Sequence, residues 1–184
     1  MTNTIPALIG TLLYAACACA EKGGPVRPLA DEFVVVCESP SPTNVFCYTP
    51  GLARLDSGRL VATMDFGGKG WKKGEPRGRT FVSDDRGKTW SPRVSFPFGH
   101  ARPFVAGKSL YVLGQSGDLM VIRSDDNGET WSEPVTLTDK QHWHQSACNV
   151  WYANDCVYLV MERRVSEKIQ SWPVGELAPM LMRG

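Results

Sequence analysis

Beyond residue 45, short runs of β-branched, aromatic and aliphatic residues alternate with breaks rich in Gly, Asp, Ser and Asn. That rhythm predicts short strands joined by turns. The first set is Gly51–Leu55, a turn at Asp56-Ser57-Gly58, Leu60–Asp65, a long loop from 66 to 78, and Arg79–Val82. The second is Arg102–Val105, a turn at Gly107-Lys108, Leu110–Gly114, a short connection from Gln115 to Asp118, and Leu119–Arg123. The third is 147–152, a turn at Asn154-Asp155, Cys156–Glu162, a loop from Val165 to Glu176, and a last strand from Ala178. Upstream, Glu32–Cys37 reads as a further strand.

A repeat underlies this spacing. Ser83-Asp84-Asp85-Arg86-Gly87-Lys88-Thr89-Trp90 returns, 41 residues on, as Ser124-Asp125-Asp126-Asn127-Gly128-Glu129-Thr130-Trp131. A period of roughly 40–45 residues is that of one four-stranded propeller blade. Within each copy the Gly tolerates the positive φ of a tight turn, and Asp85 or Asp126 can bind the turn's own amides. The Trp supplies a large apolar surface to bury between sheets. Units of about 45–97, 98–140 and 141–184 follow. The expected fold is all-β, about three four-stranded blades of a β-propeller.

The phrase resembles the Asp-box of the sialidase superfamily, and the likeness covers residues 32–184. It implies a sialidase-like propeller of six blades, so the chain is expected to be an N-terminal portion, with Glu32–Cys37 as the strand that completes the last blade. It also implies an exo-acting glycoside hydrolase, or a non-catalytic propeller that binds carbohydrate or protein.

A net charge of +1 gives no basis for nucleic-acid binding through bulk electrostatics. Residues 5–20 are apolar and end in Ala18-Cys19-Ala20, which fits a cleaved export signal, although no Lys or Arg precedes them. Secretion or periplasmic location is expected, with a lipid anchor on Cys17 or Cys19 as an alternative, and no membrane span. Four further cysteines permit disulfides: Cys37 and Cys47 flank one loop, and Cys148 and Cys156 lie on one hairpin. No C-x-x-C pair points to zinc, and no cofactor is expected. The oligomeric state is left open.

Antiparallel succession puts the loops after each second and fourth strand at one end of a propeller, and the resemblance places the active site there. The candidate catalytic residues at that end are Asp65 and Glu75. The candidate substrate-binding residues are Tyr48, Arg77, His100, Arg102, His144, Gln145, Glu162 and Arg163, with Gln115 and Arg164 nearby. Asp65 also reads as a strand-end cap, and Glu75 as a loop ion pair. His142 and His144, two apart, share a face if extended. Trp71, Trp143 and Trp151 could stack on a sugar, although Trp151 reads more readily as core. The resemblance implies an Arg where Tyr48 stands and an acid/base Asp in a loop whose only acid is Glu75, so its catalytic pattern is incomplete here.

Overall fold

The computed structural model describes residues 32–144 and 150–184. The export segment, Gln145 and Cys148 lie outside the described residues. Val34–Gly184 form one unit, built from twelve strands and no α-helix among the described residues. Strands β1 (Phe46–Arg54), β2 (Leu60–Gly67), β3 (Gly78–Ser83) and β4 (Ser91–Phe96) pair in chain order as one antiparallel sheet. Strands β5 (Gly99–Ala106), β6 (Ser109–Ser116), β7 (Asp118–Ser124) and β8 (Val135–Thr136) form the second. In the third, β10 (Val150–Ala153), β11 (Cys156–Arg164) and β12 (Leu177–Arg183) pair in order, and β9 (Trp143–His144) pairs with the far end of β11. These are three successive blades of a β-propeller.

The blades pack through alternate residues of their strands. Phe96 and Phe98 meet Ala101, Val112 and Ile122, burying the first blade against the second. Leu113 and Leu119 of the second meet Val157, Leu159 and Met161 of the third. Gly51 shows how closely the inner strands approach: an added Cβ would lie 2.7 Å from Pro103 Cδ.

The two eight-residue phrases make the same turn. Asp85 Oδ1 accepts the Thr89 N–H at 2.9 Å, Gly87 N–H donates to Ser83 Oγ at 2.8 Å, and Trp90 Nε1 donates to the Gly87 carbonyl at 3.0 Å. Asp126, Gly128, Ser124, Thr130 and Trp131 repeat these bonds. Both Gly87 and Gly128 have φ near +85°, at +86° and +85°. Arg59, beside the first hairpin turn, binds both oxygens of Asp84, the Asn127 carbonyl and Glu129. The turn between β1 and β2 and both boxes therefore share one end of the blades.

Three expectations need correction. The first inner strand starts at Phe46 rather than Gly51, because a bulge between Tyr48 and Gly51 accommodates Pro50 without a ladder bond. Strand β2 likewise runs on to Gly67. Glu32–Cys37 is not a strand: no described strand pairs with it, Val34 and Val35 are exposed, and Val36 and Cys37 pack on Ala62, Phe66 and Phe81. Cys37, Cys47 and Cys156 are free thiols. Burial, with Cys37 beside it, pushes the Cys47 thiol up to about 11.

Candidate functional site

The end of the blades opposite the boxes gathers one polar residue from the same place in each second strand. Asp65 faces Tyr48 across β1–β2, Gln115 faces Gly99 across β5–β6, and Glu162 faces His144 across β9–β11. The blade repeat thus sets three side chains in a row.

The inner strands enter this end through matched bulges. Register breaks between Tyr48 and Gly51, and again between Gly99 and Arg102. Within them Thr49 and His100 take left-handed conformations, φ +49° and +52°. Such backbone is strained for a β-branched residue and persists only where surroundings enforce it. The enforcement is visible: Arg102 Nη1 donates to the Thr49 carbonyl at 3.0 Å, and Thr63 Oγ1 donates to the Ala101 carbonyl at 2.9 Å.

Asp65 is 1% exposed. Its Oδ2 accepts the His100 backbone N–H at 2.5 Å. Its Oδ1 and the Thr49 hydroxyl beside it form no hydrogen bond of good geometry, yet the hydroxyl is close enough to favour the charged carboxylate. Burial raises the Asp65 pKa, against the opposing influence of Thr49, the His100 amide, Arg77 and Arg102. Arg77 lies alongside: a Cβ on Gly99 would be 3.1 Å from Asp65 Oδ2 and 3.3 Å from Arg77 Cζ. Arg77 Nη2 also donates to Tyr48 Oη at 2.9 Å.

The His100 ring is pushed down to about 4 by burial, helped by His144, Arg77 and Arg102, so it is neutral at pH 7. Its Nδ1 lies 2.8 Å from Gln115 Nε2. The His144 ring centre is 4.7 Å away, and His144 Nδ1 is 3.2 Å from Glu162 Oε2.

Of the residues singled out in the sequence, the structure brings together Tyr48, Asp65, Arg77, His100, Arg102, His144 and Glu162. Gln145 lies outside the described residues. Glu75 stands apart, its Oε2 accepting the Lys72 N–H at 3.3 Å within its own loop turn. Arg163 follows Glu162 in β11, so alternation sends it to the opposite face. His142 pairs with Glu167 at 2.6 Å rather than joining His144. Trp71 is stacked on Phe66, ring centres 5.6 Å apart, and Trp143 packs between blades two and three. Trp151 was expected in the core but is 69% exposed. It borders a concavity of about 1150 Å³ between the inner strands, which shares only Arg102 with the polar cluster.

Glu176 went unmarked in the sequence. It is a buried carboxylate that accepts the Lys168 and Ile169 amides and Arg164 Nε, fixing the loop of the third blade. Burial opposes its charge, but the Ile169 amide and Arg164 outweigh it and hold the group down at about 2. It is the last residue of a one-turn 3₁₀ segment, Pro173–Glu176, and no motif in the sequence signals it. Among the described residues no group of three His, Cys, Asp or Glu could hold a metal ion, and no helix is long and apolar enough to cross a membrane.

No protein-family model and no curated protein matches the chain. Solved structures do. An exo-β-1,3-galactanase from Clostridium thermocellum superposes with a TM-score of 0.50 at 15% identity, covering 67% of this chain and 31% of that one. The GH93 α-L-arabinofuranosidase of Fusarium graminearum, solved with arabinobiose, gives 0.49 at 15% identity, covering 67% and 41%. The Hadza microbial sialidase Hz136 gives 0.47 at 19% identity, covering 64% and 32%. The chain spans 33% and 42% of the length of two further structures it matches. At these identities the likeness is one of fold.

Proposed function

We propose that this chain carries the carbohydrate site of an exported glycoside hydrolase, exo-acting on sialylated or other glycans. The observation that carries the reading is Asp65. It is a buried carboxyl with one oxygen fixed by His100 and the other facing the Thr49 hydroxyl without a well-formed hydrogen bond, set among Arg77, Tyr48 and two histidines. A carboxyl pKa raised by burial and convergent polar groups at one end of a scaffold favour proton transfer to or from a bound ligand. Asp65 would then protonate the leaving glycosidic oxygen. The resemblance of the repeated phrase to the Asp-box and the propeller fold of several glycosidases support the substrate class. Export rests on residues 5–20.

A second reading, a glycan-binding propeller without turnover, is favoured by one observation. Tyr48 stands where the resemblance implies an Arg, and Arg77 is already tied to its hydroxyl. Incubation with arabinan, β-1,3-galactan and sialyllactose separates the two. Release of sugar that falls at least a hundredfold in Asp65→Asn supports hydrolysis. Binding without release supports the second reading, and neither binding nor release would exclude both.

A further inference from the structure

Two hydrogen bonds decide where His100 keeps its proton. The Gly117 backbone N–H, which can only donate, lies 3.0 Å from Gln115 Oε1. That contact orients the amide, so Gln115 Nε2 is the group at 2.8 Å from His100 Nδ1. An amide NH₂ only donates, so His100 Nδ1 must accept. The neutral ring therefore carries its hydrogen on Nε2.

The opposite holds for His144. Its Nδ1 faces Glu162 Oε2, and a carboxylate only accepts, so this nitrogen carries the hydrogen. A neutral His144 then has Nε2 as an acceptor. The two rings, with centres 4.7 Å apart and planes inclined by 52°, present one donor and one acceptor, and no hydrogen bond joins them directly.

We infer that His100 and His144 form a pair of fixed, opposite tautomers that takes one uncharged sugar hydroxyl, which accepts from His100 Nε2–H and donates to His144 Nε2. Gln115 and Glu162 act as positioning residues that set the tautomers. The inference rests on the carbohydrate reading of the site and narrows it: this pair recognises a neutral hydroxyl, neither a carboxylate nor a metal ion.

The test is long-range ¹H–¹⁵N NMR of the ¹⁵N-histidine-labelled chain, with His100→Asn and His144→Asn spectra for assignment. The expected result is a neutral Nε2–H ring at His100 and a neutral Nδ1–H ring at His144. Gln115→Glu replaces the donor with a carboxylate and should convert His100 to the Nδ1–H form, with an unchanged thermal midpoint. If that variant unfolds, Gln115→Leu should still give a mixture of tautomers. An Nδ1–H ring at His100, or an imidazolium at His144 at pH 7, overturns the pair. Arabinobiose and sialyllactose are then titrated in. Movement of both Nε2 resonances, with at least tenfold weaker binding in Gln115→Glu, supports the proposal. Binding that moves other resonances but neither Nε2 overturns it while leaving the carbohydrate reading intact. If neither sugar moves any resonance, the carbohydrate reading falls and the pair's ligand with it.

Discussion

Asp65 and Gln115 occupy the same place in successive blades, and both grip His100, one by its backbone N–H and the other by its ring. The residue gripped is left-handed and sits in a bulge. Two repeats thus hold one strained residue between them, and the polar cluster is a product of the repeat rather than of any single loop.

Asp65 is the first place to test this. Asn at position 65 keeps an oxygen for the His100 N–H, whereas Ala leaves that buried amide unpaired at a cost of about 1–3 kcal/mol. The pKa of Asp65 is raised by folding, so the folded state holds this proton more tightly than the unfolded chain. Its contribution to stability is complete below the unfolded value near 3.8 and is lost as pH rises through the folded value. Asp65→Asn should therefore be at least as stable as the wild type at pH 7, and this advantage should vanish toward pH 3. Thermal unfolding across that range checks it. An Asn variant that loses stability at pH 7 but regains it in acid would contradict the raised value.

The opposite sign applies to the turn carboxylates. Thr89 and Thr130 hold Asp85 and Asp126 down at about 2, and the loop amides with Arg164 do the same for Glu176. Groups depressed by folding stabilise above their unfolded values and cease to do so as pH falls through the folded ones. Stability should decline steeply between about pH 4 and pH 2, and Glu176→Gln should flatten the lower part of that decline. A midpoint insensitive to pH over this interval would count against these hydrogen bonds.

Arg59 ties the first blade to both boxes, with Asp84 at 2.6 and 2.8 Å and Glu129 shared with Arg93. An ion network at a surface is screened by salt, unlike packing. Arg59→Met should lower the thermal midpoint at low ionic strength, and the gap to wild type should narrow in 1 M NaCl. A gap independent of salt would mean that the side chain acts by packing alone.

Much of the frame was legible because its signals are local. The two Trp-terminated turns, Gly87 and Gly128 among them, announce their own hairpins, and 41-residue spacing orders the sheets. Asp65, His100 and Glu162 could be marked because strand ends at one pole of a repeat must converge. The bulges at Thr49 and His100 could not, since β-branched Thr disfavours left-handed backbone and the cause lies in Arg102 and Thr63 on neighbouring strands. Glu176 stayed hidden for the same reason: its partners come from a loop with no regular pattern. Trp151 was misjudged because apolarity predicts burial only where another sheet face is at hand, and here the inner strand borders open space.

The boxes contain a built-in comparison. Arg86 and Asn127 hold the same turn position with φ +63° and +62°. Left-handed backbone costs most L-residues about 1–2 kcal/mol, and Asn and Gly much less, the first because its short amide bonds locally. The Arg86 side chain makes no hydrogen bond among the described residues, so little is lost on replacing it. Arg86→Asn and Arg86→Gly should each raise stability by up to about 1 kcal/mol, or about 2–4 °C in a domain of this size. Arg86→Ala should give no such gain, because Ala pays the same backbone penalty as Arg. A rise in all three variants would instead assign the effect to the lost charge, and a rise in none would show that the turn carries no strain at this position.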